Sequence, residues 1–194
     1  MFKRICSLNF GDDISLAVPP NWKYQDVELS KHIDTAADAT VRLAGLTPSN
    51  AGNEILISAN TYTVYKTSSA TLRLSVRPDN QISQTQMKSL ADSSPDDIKE
   101  IFDPISKETE KLLNSIEGVK VIKKTRAEVA YNKNLYCILM EFEISSLGDE
   151  KLQQTYICPI GNKTVKLSTS YRKSESVIFK PVIEYIWFSL LAHE

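Results

Sequence analysis

From residue 119 to residue 171 the chain settles into a period of two and keeps it through four consecutive runs. That period puts successive side chains on opposite faces of a strand and cannot build a helical stripe. The runs span 119–131, 135–144, 152–160 and 163–171. They are joined by Asn132-Lys133-Asn134, by residues 145–150 with Gly148, and by Gly161-Asn162. Links this short leave no room for a crossover, so neighbouring strands run antiparallel and the segment predicts a meander. Gly161-Asn162 is a two-residue hairpin signal, and it sets Ile160 opposite Lys163, Cys158 opposite Val165 and Tyr156 opposite Leu167. Tyr156, Cys158, Val165 and Leu167 then share one face, the expected core face. On the preceding strand Tyr136, Ile138, Met140, Phe142 and Ile144 form an apolar row, which predicts the matching side of that core.

The flanking segments are helical or mixed. Ser174 is a plausible cap for a last helix running to residue 191, with Pro181 near its start. Phe179, Val182, Ile183, Ile186, Trp187 and Leu190 form its apolar stripe, which should lie on the meander. Ile178, Tyr185, Phe188 and Leu191 fall off that stripe, so a second side of the helix meets either internal helices or a partner. Upstream, Ser94 caps a helix that Pro95, Asp96 and Asp97 favour and Gly118 stops. Pro104 predicts a kink, or a restart capped by Asp103. Residues 83–91 suggest a short helix, and 54–65 and 71–77 read as strands. Residues 5–10 and 14–18 predict a first hairpin, ended by Pro19-Pro20-Asn21-Trp22, with Trp22 folding back as a core lid. Residues 25–53 are irregular, with a short helix suggested over 34–46. No repeat or linker divides the chain, so residues 1–194 read as one α+β domain with 25–53 as an insertion.

The 194 residues include 23 Lys+Arg against 24 Asp+Glu, a balance without the basic stripe of a dedicated nucleic-acid binder. Two histidines, three cysteines and six glycines make a poor kit for metal or nucleotide chemistry. His32 and His193 share no metal-ligand spacing with other residues, so neither metal nor cofactor is expected. No nucleophile elbow exposes a serine. Gly161-Asn162-Lys163-Thr164 lacks the upstream glycine of a phosphate loop and reads as a hairpin. Cys6, Cys137 and Cys158 read as three reduced, mostly buried thiols, with one disulfide left open for a periplasmic protein. Glu141 and Glu143 share a strand face opposite the apolar row, which reads as a wet face and, more distantly, as an acid–base pair. Lys120, Lys123, Lys124 and Arg126, with Arg172 and Lys173, are the basic concentrations, suited to an acidic partner or to guarding an exposed edge. The most apolar stretch, 177–192, contains Lys180 and Glu184 and is too short to span a membrane. The first ten residues alternate rather than forming a signal peptide. The protein reads as cytoplasmic if Met1 is native and periplasmic if a leader has been removed.

The order of elements, the Pro19-Pro20-Asn21-Trp22 turn and the closing Ile186-Trp187-Phe188-Ser189-Leu190 together resemble the PsbP-like fold. That superfamily takes in photosystem extrinsic proteins, a nuclear-import Ran-binding factor and bacterial DcrB-type proteins. The resemblance implies a sandwich of helices on an antiparallel sheet, and a non-catalytic binder, adaptor or chaperone. Bacterial members include chaperones of type VI secretion effectors, and small binding modules of this kind also serve as immunity proteins.

The preferred reading is a non-enzymatic protein-binding module that occludes a partner surface. A secretion-associated chaperone or toxin-immunity protein would fit, with an effector or toxin as partner and a homodimer also open. Trp22, Tyr24, Tyr185 and Trp187 are the candidate anchors. The alternative is a periplasmic small-ligand or lipid-binding protein whose pocket, between sheet and helix, is lined by Tyr136, Met140 and Tyr156.

Overall fold

The computed structural model describes residues 6–10, 14–24, 54–61, 69–78, 82–115 and 117–192. Strands β1 (Cys6–Phe10), β2 (Ile14–Val18), β3 (Lys23–Tyr24), β4 (Glu54–Thr61) and β5 (Ala70–Arg77) come first. Helices α1 (Gln84–Ala91) and α2 (Pro95–Ser115) follow, then β6 (Val119–Tyr131), β7 (Tyr136–Ser146), β8 (Asp149–Ile160) and β9 (Lys163–Arg172). A short 3-10 turn leads into α3 (Ser176–Ser189) and β10 (Leu191–Ala192). Among the described residues one seven-stranded antiparallel sheet has the order β3-β4-β5-β9-β8-β7-β6, and a second sheet has the order β1-β2-β10. The helix suggested over 34–46, His32, His193 and the irregular segment lie outside the described residues, as do the side chains of Cys6 and Tyr24.

The hairpin register is the one Gly161-Asn162 dictates: Ile160 pairs Lys163, Cys158 pairs Val165 and Tyr156 pairs Leu167. Gly161 takes the left-handed conformation (φ 56°) that the tight turn requires. The β7–β8 turn does the same with Leu147 and Gly148, both at positive φ. Ser83 caps α1 in a full capping box with Gln86.

One expectation fails on the faces of β7. Leu139 pairs Tyr156, so Cys137 and Leu139 share the face of Tyr156, Cys158, Val165 and Leu167. Ile138, Met140, Phe142 and Ile144 point the other way and pack with Met87 of α1 and Phe102 of α2. The row that meets the first core is apolar only at Cys137 and Leu139 and continues as Glu141 and Glu143, whereas the longer apolar row of β7 belongs to the second core. The first core is closed by α3 and β2: Phe179, Val182, Ile183, Ile186, Trp187 and Leu190 all turn inward onto Ile14, Leu16, Val18 and the sheet.

Three other expectations are corrected. Cys137 and Cys158 form a disulfide, because cross-strand partners one step beyond Ile138 and Ile157 bring their Cα atoms to 4.4 Å. The helix of Pro95–Ser115 continues through Pro104, so the restart, one of the two outcomes expected there, does not occur. Asp103 does not restart it, since Lys124 Nζ donates to its carboxylate at 2.7 Å. Arg172 is not a surface cation: it is 3% exposed and held between Asp149 and Glu175, at 3.0 and 3.5 Å.

Candidate interaction surface

Helix α3 carries two apolar faces, and only one is used by the core. Its inward stripe is fully committed. Its outward side presents Val177, Ile178, Pro181, Tyr185 and Phe188, all exposed, Val177 at 90% and Phe188 at 52%. Positions 177, 181, 185 and 188 recur at helical spacing, so they form one line on the surface. Among the described residues no helix covers this side. Lys180 and Glu184 flank the line as its exposed charges. Such an apolar strip with a polar border is the anatomy of a binding face.

The helix is clamped at its C-terminal end and along its inward face. At its C-terminal end Asn132 Nδ2 donates to the carbonyls of Trp187 (3.1 Å) and Leu190 (2.9 Å). Asn132 Oδ1 accepts from the Leu135 and Asn134 amides, which ties the β6–β7 turn to the same side chain. The Ala17 amide donates to Ser189 Oγ at 2.9 Å, and Leu191 pairs with Ser15 of β2. Trp187 stacks on Tyr156 with ring centroids 4.1 Å apart. Burial pushes the Tyr156 phenol well above its usual range, with Arg126 opposing and Glu141 and Glu184 adding to the effect.

The candidate anchors therefore separate. Trp22 (4% exposed) and Trp187 (5%) belong to the core and present no ring to a partner. Tyr185 stands on the outward strip. The pocket lining of the alternative reading is divided by the sheet: Tyr156 lies on the α3 side, whereas Met140 and Tyr136 pack with the second core. The disulfide partner Cys158 and the ring of Trp187 fill the space beside Tyr156. Glu141 is engaged by Thr125 Oγ1 (2.7 Å) and Gln154 Nε2 (2.6 Å). Lys173 and Lys123 hold the Glu143 carboxyl below its ordinary pKa. Both carboxylates thus serve the strand face as ion-pair and hydrogen-bond partners. Among the described residues no group of three or more His, Cys, Asp and Glu is placed to hold a metal ion, and no helix is long and apolar enough to cross a membrane.

Val177 and Pro181 are the members of the strip that the sequence reading leaves out, Pro181 being read there only as marking the helix start. The signal for Val177 is its spacing from Pro181 and Tyr185, hidden because it falls in the first turn of the helix. The sequence marks Asn132 as a turn residue alone, since its carbonyl partners lie 55 and 58 positions away.

Helices on both faces of an antiparallel meander, with a C-terminal helix closing on an N-terminal hairpin, define the PsbP-like fold, and this chain has it. It is similar to cyanobacterial PsbP from Synechocystis sp. PCC 6803 with a TM-score of 0.57, over 97% of this chain and 92% of that one, at 10% identity. LpqN, involved in cell envelope biogenesis of Mycobacterium tuberculosis, is similar at 12% identity and a TM-score of 0.48, over 98% of this chain and 91% of that one. A Ran-binding protein of Saccharomyces cerevisiae is similar at 7% identity and a TM-score of 0.43, over 96% of this chain and 94% of that one. No protein-family model matches the chain, and no curated protein matches it in sequence.

Proposed function

We propose that the protein is a non-enzymatic protein-binding module that docks an apolar segment of a partner on the outward strip of α3. The observation that supports this is the exposure of Val177, Ile178, Pro181, Tyr185 and Phe188 on a helix whose other face is spent on the core. The clamps on α3 supply preorganisation, so binding orders little of the receptor and acts by covering the partner segment. The secretion-associated chaperone and the toxin-immunity protein implied by the resemblance both work by such occlusion and fall within this reading. The Cys137–Cys158 bridge favours an oxidising compartment, periplasmic rather than cytoplasmic. The function is tested by Ile178→Asp combined with Phe188→Asp. Both side chains are exposed, so stability should stay within about 0.5 kcal/mol of wild type. The partner that co-purifies with the wild-type protein from its native cell should be lost. Retention of that partner by a folded double variant, or a wild-type protein that purifies as a lone monomer, overturns the reading.

A further inference from the structure

Among the described residues the seven-stranded sheet ends at β6, and the disulfide reveals which backbone groups that edge presents. A Cα separation of 4.4 Å between Cys137 and Cys158 is the spacing of an antiparallel pair that exchanges no backbone hydrogen bonds. Cys137 therefore turns its N–H and C=O toward β6, where it faces Ala130. Alternation directs Ala130, Glu128 and Arg126 to β7 and sends the backbone groups of Ala127 and Val129 outward. Carried back through the register shifts between Val121 and Lys123 and between Lys124 and Arg126, the same alternation sends the Val121 amide outward. There it meets Asn114 Oδ1 of α2 at 2.7 Å, which agrees with the assignment. Asn114 closes the start of the edge. Ala127 and Val129 have no such partner among the described residues.

A groove of about 400 Å³ runs beside this stretch, between α2 and β6. Ile98, Phe102 and Ala127 give it an apolar floor, and Lys99, Lys124 and Arg126 stand around it. Asp103 answers Lys124 and, at longer range, Lys99, and Glu128 answers Arg126. Along β6 itself four basic residues, Lys120, Lys123, Lys124 and Arg126, stand against one acid, Glu128, with Lys123 answered by Glu143 of β7.

We propose that the outer edge of β6, from Arg126 to Tyr131, takes an extended acidic segment of another polypeptide as an added strand. The register shifts confine regular pairing to this stretch. The Ala127 and Val129 backbone groups pair with the incoming segment, and its apolar side chains on the α2 side enter the groove over Ile98 and Phe102. The surrounding positive charge selects for acidic residues in the ligand. A second copy of this chain is a poor occupant, because pairing edge to edge sets one basic strand against another.

The test titrates the isotope-labelled full chain with an acetylated, amidated seven-residue peptide that alternates valine with glutamate. The amide signals of Ala127 and Val129 should shift and their exchange should slow. Methylating alternate backbone nitrogens of the peptide, on the side facing β6, should weaken binding about tenfold, and a valine–lysine peptide should bind more weakly still. Ala127→Pro removes an outward donor without removing a bond to β7, and should also cost about tenfold in affinity. Should that variant misfold, Lys99→Glu with Lys124→Glu provides the second arm, and it should reverse the preference between the two peptides. Unchanged Ala127 and Val129 signals, equal affinity for the methylated peptide, or sedimentation as an edge-paired dimer that excludes peptide would each overturn the proposal.

Discussion

Asn132 satisfies both ends of its amide inside the protein, at 1% exposure. It receives two turn amides and donates to two carbonyls at the end of α3. Helix ends leave carbonyls without intrahelical partners, and here a side chain from a distant turn supplies them. Asn132→Ala removes all four bonds and strands buried groups on both elements, so it should cost about 2–4 kcal/mol of unfolding free energy in urea titration. A loss under about 0.5 kcal/mol would mean that the turn and the helix end hold themselves. This residue shows where sequence reading stops. The turn was legible from Asn132-Lys133-Asn134, but the cap was not, because nothing local marks Trp187 and Leu190 as its targets.

At the scale of elements, the four-strand meander was legible because its turns are short and Gly161-Asn162 sets a register without tertiary help. The facing of β7 was not. Cys137 and Leu139 share their row with Glu141 and Glu143, so that row reads as the wet one, and only the Leu139–Tyr156 pairing shows that its first half meets the first core. The inward stripe of α3 was legible in full, whereas the fate of its outer side depended on whether anything covers it. The Cys137–Cys158 bridge joins β7 and β8 across 21 positions of sequence. Closing a loop of that size restricts the unfolded chain, so Cys137→Ala with Cys158→Ala should destabilise the protein by about 3 kcal/mol. Protein drawn from its native cell should resist alkylation at both positions until a reductant is added. Ready alkylation without reductant would place it in a reducing compartment and remove the staple from the account.

Among the described residues the seven-stranded sheet lies between two apolar cores, and buried phenols tie stability to pH. Tyr171 lies in the first core, and burial, with Glu141 and Glu184 adding, pushes its phenol up to about 12. The unfolded value is about 10, so the folded state holds the proton more tightly than the unfolded state. The resulting stability is complete below about pH 10 and is lost as pH rises from about 10 toward about 12. Tyr171→Phe should flatten that alkaline loss, seen as a smaller difference between urea midpoints measured at about pH 9 and about pH 11. An unchanged slope would assign the loss to other groups. The closing strand has a different consequence. Ser189 binds the Ala17 amide across 172 positions, and β10 pairs with β2 immediately afterwards. During synthesis the apolar surface of Ile14, Leu16 and Val18 leaves the ribosome well ahead of its cover, since 172 positions separate Ala17 from Ser189. Contacts that span so much of a chain form late and slowly. The nascent protein must therefore carry an unfinished core while all the intervening positions are translated, which makes this hairpin a segment in need of a chaperone before its cover arrives.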